Sequence, residues 1–206
     1  MRTIVSAVLM LVSLSAPGVT RAQESSLMVR LRPVYISPAN QSDAIPALSV
    51  PKDAIHVSSK VMPELDITYF FNPYLSAELV LTIPQEHEVT LSGTRIGTFS
   101  HLPPTLLVQA GLPIGFVRPY LGAGLNLTLI TAQNISVPGV GKLTLDDASI
   151  GPAAQAGVDF RLGRNWSLNL DVKYAMIGVD VKSGGSRVSE VRVNPWLFGG
   201  GLAYRF

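Results

Sequence analysis

Strict two-residue alternation runs through most of this chain. From Trp166 to Met176, Trp166, Leu168, Leu170, Val172, Tyr174 and Met176 alternate with Ser167, Asn169, Asp171, Lys173 and Ala175. That spacing predicts a strand with one apolar and one polar face. The same pattern predicts a strand from Leu27, with Val29 and Leu31 outward and Arg30 and Arg32 inward. A second sets Leu65, Ile67, Tyr69 and Phe71 against Glu64, Asp66 and Thr68. A third sets Leu75, Ala77, Leu79 and Leu81 against Ser76, Glu78, Val80 and Thr82. Further strands fall near 105–112, 120–129 and 154–160, the last with Gln155, Gly157 and Asp159 inward. In the C-terminal strand Trp196, Phe198, Leu202, Tyr204 and Phe206 share one face, opposite Leu197, Gly199, Gly201, Ala203 and Arg205. With it the strands number eight.

The connections alternate as well. Residues 72–74, 113–118 and 161–165 are short, with Asn72-Pro73-Tyr74 a tight turn. Residues 38–58, 84–103, 131–147 and 178–190 read as long loops, and Ser183-Gly184-Gly185-Ser186 as a flexible loop tip. Short turns on one side and long loops on the other mark an outer-membrane barrel. The expected fold is all-β: an eight-stranded antiparallel up-and-down transmembrane β-barrel. Trp196, Phe198, Tyr204 and Phe206 are expected in its aromatic girdles, with the terminal Phe206 as an assembly signal for the barrel-assembly machinery.

Composition sharpens this picture. Of 206 residues, 47% are hydrophobic and only 15% charged, a membrane-like balance. Beyond the N-terminus no apolar run reaches the roughly 20 residues of a membrane helix, and lipid tolerates no open strand edge. Residues 1–22 read as a cleaved secretory signal: Arg2, an apolar stretch from Ile4 to Leu14, the Pro17-Gly18 break and Thr20-Arg21-Ala22. Residues 23–206 are then the barrel domain, localised to the bacterial outer membrane after export to the periplasm. Losing Arg2 and Arg21 leaves 14 basic residues against 14 acidic, so the net charge gives no reason to expect a nucleic-acid partner. The absence of cysteine implies no disulfide framework.

Eight tilted strands enclose room for side chains or one small ligand, which excludes a wide porin. The inward set carries Arg30, Arg32, Glu64, Asp66, Glu78, Asp159, Asp171, Lys173 and Arg205. Turning the barrel inside out, as in a soluble lipocalin-like fold, would leave the apolar rows without a core. Charges in a narrow interior need partners. They read first as a salt-bridge plug in the periplasmic half, and second as a selectivity or proton-linked gate.

Several segments resemble the OmpW family of small outer-membrane proteins. They are His101-Leu102-Pro103-Pro104-Thr105, Arg118-Pro119-Tyr120 through Asn126, Gln155 to Asp159, Asn165-Trp166, and Asn194-Pro195-Trp196 through Phe206. The resemblance implies a narrow passive channel for small, mostly hydrophobic molecules, which leave sideways through the wall. It also places the lumen constriction at Val80 and Ile150, where Ile150 departs from a common Trp. Glu64 and Asp66 depart from small or neutral residues, at odds with a wholly apolar route.

Other candidate chemistry is sparse. Glu86-His87-Glu88 alternates in direction, so it cannot close on one metal ion, and His56, His87 and His101 all read as external loop or strand-end residues. His56 and Ser58 have the spacing of a base and a nucleophile, but no orienting acid lies nearby. No catalytic residue, metal ligand or cofactor is therefore expected. The alternative to a channel is a non-conducting structural or receptor barrel whose external loops bind partners; a lipid-modifying enzyme comes third. The expected surroundings are outer-membrane lipid and lipopolysaccharide, the expected cargo small apolar solutes, and the expected state a monomer.

Overall fold

The computed structural model describes residues 26–45, 50–137 and 141–206; the signal sequence read at 1–22 lies outside them. Fifteen strands follow in order: β1 (Leu27–Ser37), β2 (Gln41–Ser42), β3 (Ile55–Val57), β4 (Lys60–Phe70), β5 (Leu75–Thr82), β6 (Gln85–Leu91), β7 (Thr94–Leu102), β8 (Thr105–Gly111), β9 (Val117–Val137), β10 (Gly141–Leu145), β11 (Ala148–Arg161), β12 (Trp166–Ala175), β13 (Gly178–Ser183), β14 (Ser186–Arg192) and β15 (Trp196–Arg205). Eight of them form a closed antiparallel ring, β1-β4-β5-β8-β9-β11-β12-β15, sealed where Val29 pairs with Tyr204 and Tyr35 with Phe198. Closure gives every wall strand a partner on both sides, which a bilayer demands. At the seam a Cβ on Gly201 would lie 2.2 Å from the Leu31 carbonyl. Glycine there lets the last strand approach the first.

Below the external surface, alternation puts lipid-facing residues such as Leu121, Leu125, Leu170 and Phe198 outside. Two aromatic groupings mark that surface. Trp196 packs on Tyr174 at 5.0 Å, while Trp166, Tyr204 and Phe206 cluster at the opposite end.

Above the lipid belt the stretches read as long loops are mostly strand. The β6–β7, β9–β10 and β13–β14 hairpins, with β2 and β3, raise the wall into an outer storey. Ser42 and Asn40 lace β2 to β3: Ser42 N donates to Asp53 Oδ1 at 3.0 Å and Val57 N to Asn40 Oδ1 at 2.8 Å. Nor is Ser183–Ser186 a loose tip. Those two serines pair, and Gly184 and Gly185, at φ of 57° and 85°, form a two-residue hairpin turn. Polarity inverts in this storey because water replaces lipid outside. In β9 a bulge at Thr131 makes the change: Asn126 and Thr128 point inward below it, Ile135 above it. This even-to-odd shift of the inward positions hides such strands from a simple two-residue reading.

Candidate functional site: a lumen in three levels

The upper level is apolar. Ile55, Val57, Val89, Phe99, Ile135 and Leu143 are buried against one another, with Val179, Val181, Val191 and Val193 completing the lining. The cavities left there measure about 30 Å³ or less, about the volume one water occupies. The upper lumen is thus packed shut in this conformation. His87 and His101 lie within it, their rings stacked at 5.0 Å, and His87 Nδ1–H donates to the Ser58 carbonyl at 2.7 Å. Burial holds both imidazoles below the usual histidine range, His101 at about 4, where His87 and Lys60 add to the depression. Neutral histidines belong to an apolar lining. Further down, Met62, Val80, Thr105, Ala153 and Ala175 surround the axis.

From the level of Val80 downward the lumen becomes a belt of ion pairs. Arg30 reaches Glu78 and grips Asp159 with Nε at 3.2 Å and Nη2 at 2.9 Å. Arg32 meets Asp66, Glu64 at 2.8 Å, Asp171 at 3.5 Å and the Asn169 amide oxygen at 2.5 Å. Lys173 closes the circuit with Glu64 at 2.8 Å and Asp171 at 2.7 Å. Neutral groups fill the gaps: Gln155 donates to Glu78 at 2.7 Å, and Tyr120 to Asp171 at 2.9 Å. Gly157 makes room for that phenol, since a Cβ there would come within 2.4 Å of the Tyr120 hydroxyl. Arg30 and Arg32 are wholly buried. A charge so enclosed is tolerable only with such partners.

Below the belt lies a vestibule of about 470 Å³, bounded by the β8–β9 and β11–β12 connections and the end of β15. Its lining holds Arg118, Arg161, Arg164 and Arg205.

A family model described as the OmpW family matches residues 23–206. The chain belongs to the OmpW family. Outer membrane protein W of Vibrio cholerae is 32% identical over 226 residues, covering 100% of both chains. The crystal structure of the outer membrane protein OprG from Pseudomonas aeruginosa superposes with a TM-score of 0.76 at 25% identity, covering 88% of this chain and 96% of that one. A further relative, the dibenzothiophene metabolism operon protein PahQ of Pseudomonas aeruginosa, is 27% identical over 137 residues, covering 64% of this chain and 63% of its own. The protein is therefore an outer-membrane barrel of this family, and none of these relatives indicates an enzymatic family.

Within this OmpW-family barrel the belt brings together Arg30, Arg32, Glu64, Asp66, Glu78, Asp159, Asp171 and Lys173. Arg205 lies lower, its guanidinium 4.3 Å from the Phe70 ring centre, and it lines the vestibule. Val80 faces the lumen, but Ile150 does not. Ile150 is 73% exposed on the lipid side of β11, between inward Ser149 and Gly151; a strand cannot turn neighbouring side chains the same way. Met62 and Ala153, not Ile150, line the interior cavity beside Val80. His87 and His101, read as loop or strand-end residues on the external side, do lie near strand ends, in β6 and β7, but are buried. His56 stays on the surface, with its Nε2 3.1 Å from the Asp53 carbonyl oxygen, while Ser58 Oγ accepts from Glu88 N at 3.1 Å. Sequence reasoning missed Arg118, although it shares the inward parity of Tyr120 and reaches Asp159 at 3.5 Å. It also left Gln109 and Asn169 out of the belt, since their partners lie on other strands.

Proposed function

We propose that this barrel takes small, mostly apolar molecules from outside the cell into its upper lumen and releases them sideways into the membrane. The observation that carries this reading is the break in lumen polarity: a mostly apolar lining, followed by the uncharged polar side chains of Thr105, Asn126 and Thr128, ends on a buried ion-pair belt. An apolar solute gains nothing by descending into paired charges, so the wall is the easier exit. Pro33 stands opposite Pro63 between β1 and β4, and the β1–β15 ladder skips Arg32 and Pro33. Neither proline can donate to the ladder, which weakens this stretch of wall beside the belt. PahQ, named for a dibenzothiophene metabolism operon, lends support from a relative. The upper lumen is packed shut, so entrance requires its side chains to part. We take the protein as a monomer in outer-membrane lipid, with Phe206 as the mark its assembly machinery reads.

A non-conducting receptor barrel is the second reading, favoured by that same closed packing and by charged outer strands carrying Asp180, Arg187 and Glu190. Uptake into proteoliposomes bearing lipopolysaccharide in the outer leaflet separates the two. An aromatic hydrocarbon tracer should enter faster than into protein-free vesicles, and a polar tracer should not. Val80→Arg should cut uptake about tenfold or more, because a bulky guanidinium beside Asp66 and Glu64 extends the charged belt upward and fills the lumen. Ile150→Ala, on the lipid side, should leave uptake unchanged. Absence of any tracer flux above protein-free vesicles would remove the channel and leave the receptor.

A further inference from the structure

We propose that the stacked pair His87 and His101 is a hydroxyl-binding site in the upper lumen, which selects aromatic molecules carrying a single hydroxyl group. The site lies on the route of the channel proposed above, and its role as a selector rests on that reading.

Two unpaired nitrogens point to the pair. His87 and His101 are 1% and 4% exposed, yet His87 Nε2 and His101 Nδ1 have no hydrogen-bond partner among the described residues. The other buried polar atoms in that condition belong to the ion-pair belt and to Arg118 in the vestibule below it. Between the histidines and the belt, Thr128 donates to Asn126 at 2.7 Å and Asn126 to Thr105 at 2.8 Å, so those groups satisfy one another. Leaving a buried nitrogen unpaired is costly, and a hydrocarbon side chain would avoid it. A lining built only for packing would carry neither imidazole.

Proton placement selects the ligand group. His87 Nδ1 donates to the Ser58 carbonyl at 2.7 Å, so in the neutral ring Nε2 bears a lone pair and accepts. No hydrogen bond among the described residues engages the His101 ring, which when neutral has one N–H to give. A hydroxyl meets both needs: its proton goes to His87 Nε2, and its oxygen accepts from the His101 N–H. The ring centres are 5.0 Å apart, close enough for one oxygen to bridge them. An ether lacks the proton, and a molecule with several hydroxyls brings groups that the apolar walls leave unpaired.

The surroundings select a flat ring. His87, Phe99 and His101 have centres 5.0, 5.7 and 5.8 Å apart, with planes tilted by 25° or less. Strand pairing sets this up: His87 on β6 stands opposite Phe99 on β7, and His101 lies two residues further along the same face. An aromatic ligand extends such a stack in the offset arrangement that rings favour. Val57, Ile130, Ile177, Val179 and Val193 wall the same space. The cavity there is about 20 Å³, room for a hydroxyl, and the ring follows as the lining side chains part.

The test is equilibrium dialysis of 2-naphthol, 2-methylnaphthalene and 2-methoxynaphthalene against the folded barrel in detergent micelles at neutral pH. Methyl matches hydroxyl in size without hydrogen bonding, and methoxy accepts without donating. Referred to each compound's partition into protein-free micelles, 2-naphthol should bind about tenfold tighter than 2-methylnaphthalene, with 2-methoxynaphthalene between them. His101→Phe keeps a ring in the stack and should cut that preference about threefold; adding His87→Phe should abolish it. The single variant decides if the double one misfolds, because the His101 nitrogens hold nothing in the described fold. No saturable binding of 2-naphthol, or a preference unchanged in His101→Phe, overturns the assignment even where hydrocarbon enters proteoliposomes. A preference that behaves as expected without any tracer flux removes the channel and leaves the hydroxyl site standing.

Discussion

Arg32 shows what one side chain does in this lumen. Its guanidinium meets three carboxylates, of Asp66, Glu64 and Asp171, and the Asn169 amide. Replacing it with methionine keeps the bulk and strands the acids, with Lys173 the remaining cation on Glu64 and Asp171. Arg32→Met should cost about 3–5 kcal/mol, seen as a lower urea midpoint for the refolded barrel. Adding Asp66→Asn removes one stranded charge, so the double variant should be more stable than Arg32→Met alone. If instead the two losses add, the pair is not coupled. Residue identity here was legible: alternation turned Arg32, Glu64, Asp66 and Asp171 inward. The partners were not, because Arg32 on β1 and Asn169 on β12 meet over the intervening β15, on strands far apart in the chain. Ile150 carries a different lesson. It has the parity of outward Ala154 and Val158, so alternation was a better guide to its direction than the family resemblance.

Among the elements, the outer storey is the one whose chemistry responds to pH. His87 on β6 and His101 on β7 are buried at its base, outside the lipid belt. The folded His101 titrates at about 4 rather than 6.5, chiefly through burial. Between those values the unfolded chain binds a proton that the folded one refuses, so stability falls as pH drops from 6.5 toward 4. His101→Phe should flatten that dependence while leaving the stability near neutral pH largely intact, compared by urea titration at about pH 7.5 and about pH 4.5. An unchanged pH slope would place the effect elsewhere. The outer strands escaped prediction for a physical reason. Their apolar side faces in, whereas lower down it faces out, and bulges at Thr131 and beside Val89 and Val181 interrupt the period.

At the scale of the molecule, closure is what turns apolar ribbons into a membrane protein. Every lower strand has two neighbours, and β15 against β1 completes the ring. Breaking one seam exposes the rest, so unfolding should be cooperative and slow. Unboiled and boiled samples should therefore migrate at different positions on a denaturing gel, the unboiled one as a compact band; identical migration would contradict a closed barrel. The same closure divides the interior into an external apolar lumen and a periplasmic vestibule, with the belt between them.

Sequence alone determined the lower barrel, because lipid outside and polar groups inside impose a period that any reader of the chain can see. It determined the short periplasmic turns, the eight crossings and the charges that face the axis. Tertiary structure alone decided how those charges pair, that two histidines are buried, and that the supposed loops extend the wall. Each of these depends on residues from distant strands meeting in one narrow space, and two-residue periodicity carries no information about who stands opposite whom.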